Sequence, residues 1–339
     1  MTRRTADAGA VKQVLKRQGT PVTPGLDDIG AYLALQVADE SHREVLGPLL
    51  VASGASGVVI HRGERIGAWG DPSIPEMLFS ATKSVVSLVA GVAFDQGLLH
   101  PTQPVVESID IPLLASGSDR RITWEQLLQQ TSMWEGELWG KPTRVDAQSS
   151  REGDEAAAGA PGSGWAYNDV RVNLVCLALT QLLRQPLPDV LRTHVMEPLG
   201  ASRSWSWHGY DHSTVRVEGA HLPVVSGGAH WGGGLFMSAA DLALIGQLYL
   251  DDGGCPLSGE WIQRSWVPCG IRASYGYLWW LNDSAAVMTA APTSGRCARG
   301  NGGRHLLWVD PARDLVLASH WTENTETLIA EVSRVLLPN

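Results

Sequence analysis

Apolar and polar positions change rhythm several times along the chain. Over 27–45 apolar residues recur at helical spacing (Ile29, Leu33, Leu35, Val37), so 1–45 predicts one or two polar helices with a loose start. At 56–70 two β-rich runs flank Arg62-Gly63, which predicts a hairpin ended by Asp71-Pro72. From Ser80 the pattern becomes that of an apolar helix, carried by Val85, Val86, Leu88, Val89, Val92 and Phe94.

Between His100-Pro101 and about Gly228 the chain predicts helical patches separated by Pro/Gly loops. One starts at Trp124 after Thr123, an expected N-cap. The small, polar stretch 151–164 reads as a flexible surface loop. Residues 165–183 predict an apolar helix opening around Tyr167, ended by Pro186 and Pro188, and 189–196 predict another. In the last third, 232–237 reads as a strand and Ser238 as the cap of a helix over 239–250. Strands are then expected at 277–281, 287–290, 306–309 and 315–320, with a loop leading from the second of them into Gly300-Asn301-Gly302-Gly303 and a final helix to Leu337. Strands at both ends with helices between predict an α/β lobe (1–99 and 231–339) carrying a mostly helical insert (100–230), with the active site between them.

Composition narrows the function. The 339 residues are 44% hydrophobic, enough for a full core. A net charge of -9 and a pI near 5.6 argue against a nucleic-acid surface. The first residues lack the apolar core of a secretory signal, and no stretch is long and apolar enough to span a bilayer. A soluble, cytoplasmic protein is expected. Cys176, Cys255, Cys269 and Cys297 are widely spaced, which predicts free thiols and no zinc site. Fourteen tryptophans, many beside glycines or other aromatics, predict core packing for most and an aromatic-walled cleft for some.

The candidate chemistry begins at Ser80 and Lys83, three apart at the mouth of the apolar helix. Residues at that spacing share a helix face. Only four lysines exist, Lys12, Lys16, Lys83 and Lys141, and only Lys83 has a serine three before it. Burial and a helix N-terminus both favour a neutral amine, which would take the Ser80 proton. Tyr167, followed by Asn168 and Asp169, supplies a phenol that can relay a proton. Gly300-Asn301-Gly302-Gly303 is a stretch where backbone can approach a ligand closely. Each of the last two, taken alone, is ordinary: a half-buried tyrosine and a loop.

Together, in this order, they resemble the serine β-lactamase and penicillin-binding-protein superfamily, whose nucleophile motif is S-x-x-K. The stretch 122–132 (ITWEQLLQQTS) is similar to that family's "hxxLLxHTSG" segment, and 233–242 (GGLFMSAADL) to its "GGLxSTAxDLA" segment. The nearest likeness is to class C β-lactamase-like esterases and related hydrolases, over roughly 50–330. The resemblance implies an α/β (α+β) fold, an antiparallel sheet flanked by helices plus a helical lobe, and no cofactor. It implies Ser80 as nucleophile, Lys83 as base and Tyr167 as relay. The N–H groups of Ser80 and Gly303 would form the oxyanion hole. Trp134, Asp169, His230, Trp231, Asn301 and Gly302 would contact a small ester or amide substrate.

Two departures shape the expected substrate. Gly300, Asn301 and Gly302 stand where the family's lactamases and peptidases carry Lys or His, then Thr/Ser, then Gly. Arg299 and Arg304 are the nearest substitutes for that cation. Asp169 stands where the lactamases place asparagine. Both departures favour a substrate without a free carboxylate. The expected activity is an acyl-enzyme hydrolase; the close alternative is a transacylase using an amine or alcohol acceptor. A DD-peptidase and a non-catalytic sensor on the same fold fit less well.

Overall fold

A computed structural model describes residues 3–16, 31, 47, 54–145, 159–228 and 234–336. The expectations for 17–45, for most of the loop at 151–164, and for His230 and Trp231 lie wholly or almost wholly outside the described residues.

In chain order, helix α1 (Arg3–Lys16) precedes strands β1 (Ser56–His61), β2 (Glu64–Trp69) and β3 (Pro75–Met77). A single 3-10 turn, Phe79–Ala81, leads into helix α2 (Thr82–Asp95). Helices α3 (Trp124–Leu128), α4 (Asp169–Leu183) and α5 (Leu187–Leu191) follow. Strands β4 (Ser206–Trp207) and β5 (Leu235–Ser238) precede helices α6 (Ala239–Leu250) and α7 (Gly259–Ser265). The chain closes with β6 (Trp280–Leu281), β7 (Arg296–Gly300), β8 (His305–Asp310), β9 (Leu315–His320) and helix α8 (Thr325–Val335).

Six strands form one antiparallel sheet in the order β6-β7-β8-β9-β1-β2. The two halves of the chain meet where β1 pairs with β9, Ser56 opposite His320 and His61 opposite Leu315. Every residue of β8 and β9 is buried. That explains their near-continuous apolar runs, because both sheet faces are covered. Helix α6 lies close on one face: a Cβ on Gly246 would stand 2.5 Å from Val316 Cγ1. Helix α1 lies on β2, where a Cβ on Gly67 would meet Leu15 Cδ1 at 2.5 Å. A second sheet, β3-β5-β4, connects the strand before the 3-10 turn to the strand before α6.

Local signals explain most boundaries. Arg62 and Gly63 both take positive φ, the conformation a two-residue hairpin turn needs. Thr123 and Gln126 form a reciprocal capping box at α3. Ser238 Oγ accepts the Asp241 N–H at 3.0 Å and starts α6. Helix α4 begins at Asp169, later than the pattern predicts, because the Asn168 carboxamide caps it by accepting the Arg171 N–H. The strand expected at 287–290 is absent. The buried Asn282 carboxamide takes the N–H groups of Val287 and Met288 and donates to three carbonyls of the same loop. The expected loop ahead of Gly300 is instead strand β7, and Asn301, Gly302 and Gly303 form the tight turn between β7 and β8.

Candidate active site

The site is built from the Phe79–Ala81 turn outward. Met77 pairs with Phe236, and the Leu78 N–H donates to the Leu235 carbonyl at 2.8 Å, so β5 holds the chain entering the turn. Phe79 has φ of 51°, a strained value for a bulky residue. Its ring lies against His305 and Trp321, which fixes the turn from beneath. Ser80 is half-buried at the end of α2, whose residues from Thr82 to Ala93 are all buried. The turn is therefore the point where a buried helix meets open space.

Lys83 reaches back one helical turn. Its Nζ donates to Ser80 Oγ at 3.0 Å and to Asp169 Oδ1 at 2.6 Å. The Lys83 and Asp169 side chains are 2% and 1% exposed, so this is a fully desolvated ion pair. The Tyr167 ring also faces the amine, 4.7 Å from Nζ to centroid. Asp169, expected on the substrate side, instead spends its charge on Lys83. Gly228 forms the roof: a Cβ there would stand 2.1 Å from Lys83 Nζ and 3.2 Å from Asp169 Oδ1.

Tyr167 is positioned from two sides. Gln130 Oε1 accepts the Asn168 N–H at 2.6 Å, and the Gln130 carbonyl accepts the Ala166 N–H at 3.1 Å. The Tyr167 ring stacks on Trp280 and meets Tyr275 edge-on. Trp165 packs on Tyr275 and Trp280 in the same cluster. Trp134 is buried; its indole N–H donates to the Leu113 carbonyl, and its own carbonyl accepts from Arg171 Nε.

Strand β7 runs past the turn. A Cβ on Gly300 would stand 2.1 Å from the Leu78 carbonyl oxygen and 3.1 Å from the Ala81 nitrogen, so only glycine fits there. β6 pairs with Arg296 and Cys297 alone, which leaves 298–300 as an edge beside Ser80. Gly303 lies on the far side of the β7–β8 turn, where its carbonyl accepts from Thr325 Oγ1 at 3.0 Å. Gly302 and Gly303 line a separate cavity of about 490 Å³ with Arg299, Arg304, Thr322 and Thr325, and Ser80 is not in its wall.

Two histidines are held by contacts of their own. His208 bonds Ser206 Oγ and packs on Phe236, and burial lowers its pKa. His212 contacts the Trp139 carbonyl. Burial raises the thiols of Cys176 and Cys297, the latter to about 12, so neither is a nucleophile at neutral pH. Among the described residues no three His, Cys, Asp or Glu side chains gather as a metal site, and no helix is long and apolar enough to cross a membrane.

Sequence reasoning missed Gln130, Gly228 and the buried His305–His320 pair. Gln130 lies inside the matched 122–132 segment at φ 59°, and Gly228 follows another glycine, so position was their only signal.

A serine and a buried lysine at hydrogen-bond distance, with a tyrosine facing the amine, match the arrangement that an S-x-x-K motif gives an activated serine. The beta-lactamase family model matches residues 44–333, and the chain belongs to that family. It is 23% identical over 310 residues to the 6-aminohexanoate-dimer hydrolase of Paenarthrobacter ureafaciens, covering 78% of this chain and 73% of that protein. Its fold is similar to a penicillin-binding protein homolog from Caulobacter crescentus (TM-score 0.61, 17% identity, 94% of this chain and 99% of that one). It is likewise similar to a D-stereospecific amidohydrolase from Streptomyces (TM-score 0.58, 14% identity, 88% and 97%).

Proposed function

We propose that the protein hydrolyses a small carboxylic amide or ester through an acyl-enzyme on Ser80. The observation that carries this reading is the contact of Lys83 Nζ with Ser80 Oγ at 3.0 Å at the open end of a buried helix. Ser80 Oγ attacks the carbonyl carbon, and Lys83 manages the proton with the Tyr167 phenol beside it. The oxyanion rests on the Ser80 N–H and on an N–H from the edge of β7 that β6 leaves unpaired. The approach of Gly300 to the nucleophile turn favours that edge over Gly303 as the second donor. Water then releases the acyl group.

Amides rank ahead of esters, because a 6-aminohexanoate-dimer hydrolase and a D-stereospecific amidohydrolase are among the similar proteins. A Lys83–Asp169 ion pair carries no net charge to repel an anionic substrate, so the charge argument against carboxylates rests only on Gly300 to Gly302.

The test is fluorophosphonate labelling followed by peptide mass spectrometry, beside hydrolysis of linear amino-acid amides and p-nitrophenyl esters. One adduct on Ser80, and loss of hydrolysis in a folded Ser80→Ala variant, are expected. An adduct elsewhere, or unchanged hydrolysis in Ser80→Ala, would sink the assignment. Adding an amine acceptor to the assay reads transfer against hydrolysis: an acylated amine among the products would make the protein a transacylase.

A further inference from the structure

We infer that Asp169 is a positioning residue for the Ser80 chemistry, holding Lys83 in line with Ser80 Oγ and completing a Ser80–Lys83–Asp169 proton relay. The inference rests on the acyl-enzyme reading and adds to it the route the proton takes. Lys83 Nζ lies between two oxygens, 3.0 Å from Ser80 Oγ and 2.6 Å from Asp169 Oδ1. The Lys83–Asp169 pair is desolvated, and an ammonium so placed needs a carboxylate partner. A lysine ammonium has three donors and no lone pair. Paired this way, Lys83 cannot take the Ser80 proton unless it gives one up.

Asp169 is the acceptor in contact. As the Oγ–C bond forms, the Ser80 proton moves to Lys83 Nζ and a Lys83 proton moves to Asp169 Oδ1. The carbonyl π electrons go to the oxyanion. Lys83 remains an ammonium throughout, and Asp169 becomes a neutral acid. On collapse of the tetrahedral species the proton returns through Lys83 to the leaving nitrogen or oxygen as its bond to carbon breaks. Attack by water repeats the sequence, and the carboxylate is restored.

The surroundings suit such a relay. Among the described residues, titratable groups facing the pair include the Tyr167 phenol, from the segment before α4, and the Cys176 thiol of α4, which burial keeps protonated. Arg171 of the same helix is turned away, donating to the Trp134 carbonyl. The segment 226–228 is Ser-Gly-Gly and brings no charge. Gly228 packs so closely on the amine that Lys83 has no second position on that side.

The experiment measures the rate of Ser80 labelling by a fluorophosphonate against pH, for the wild type and Asp169→Asn. Asparagine keeps the size and an oxygen acceptor but cannot take a proton. The wild type should label well at neutral pH. Asp169→Asn should label about 100-fold more slowly at neutral pH and recover toward the wild-type rate only at alkaline pH. An unchanged pH curve in Asp169→Asn overturns the relay and leaves the nucleophile assignment standing. No label on wild-type Ser80 overturns the assignment itself. Should Asp169→Asn not fold, Gly228→Ala serves: its methyl would displace the amine while leaving both charges, and labelling should drop at least about 10-fold at every pH. A wild-type rate in Gly228→Ala would overturn the relay as well.

Discussion

Two buried polar pairs lie beside the Phe79–Ala81 turn, and they meet the same physical problem in opposite ways. Lys83 and Asp169 are charged, in contact, and joined to Ser80. His305 and His320 face each other through their Nδ1 atoms at 3.1 Å, both wholly buried. Burial lowers both imidazoles, His305 well below its usual value and His320 to about 4, so both are neutral at physiological pH. Around them lie the rings of Phe79 and Trp321, and Trp321 donates to the buried Glu76. A buried group escapes the cost of desolvation by pairing its charge or by giving it up. The pair that keeps its charge touches Ser80; the pair that gives it up packs against the strained Phe79.

The largest expected effect breaks the charged pair. Lys83→Met leaves the Asp169 carboxylate buried without its cation, and should cost about 3–5 kcal/mol of stability. Adding Asp169→Asn removes the stranded charge and should restore most of that loss, although activity stays absent. Urea unfolding of the single and double variants reads this. A double variant as unstable as the single one would mean that the pair is not desolvated as described.

The neutral pair should show itself in acid. Its imidazoles are depressed in the folded state, so below a pH of about 6.5 the unfolded chain takes up protons that the folded chain refuses. Stability should therefore fall as pH drops from about 6.5 toward 4. His320 alone accounts for roughly 3 kcal/mol at pH 4. The stability of a His305→Leu/His320→Leu variant should lose that slope when urea midpoints are compared at pH 7 and pH 4.5. A slope equal to that of the wild type would place the acid sensitivity elsewhere.

The same contrast explains what was legible in the sequence. Ser80, Lys83 and the apolar helix behind them are local: their meeting follows from one helical turn, and the spacing alone predicts it. β8 and β9 are local too, as continuous apolar runs between turn residues. Lys83 and Asp169 are 86 residues apart, and His305 and His320 meet only because β8 pairs with β9. Asp169 was visible as a departure from asparagine, but its direction was not, because facing Lys83 or the substrate depends on how α4 docks on α2. Strand β7 was hidden for another reason. Arg296 and Arg299 interrupt its apolar pattern, since this strand runs at the edge of the site and pays for access with polarity. The glycines that drew attention, Gly302 and Gly303, make the turn after it, while Gly300 makes the close approach.

A third buried contact, with no charge at all, gives the smallest effect and sharpens the comparison. Gln130 is fully buried, accepts the Asn168 N–H at 2.6 Å and donates to Tyr275 Oη at 3.4 Å. Through Asn168 it fixes both the cap of α4 and the backbone next to Tyr167 and Asp169. Gln130→Leu leaves a buried backbone N–H without an acceptor, which should cost about 1–3 kcal/mol. Because Lys83 keeps both of its partners in this variant, Ser80 labelling should retain the pH dependence of the wild type while its rate drops modestly. A variant that instead labels only at alkaline pH would show that Gln130, acting through the start of α4, is what holds Asp169 against Lys83.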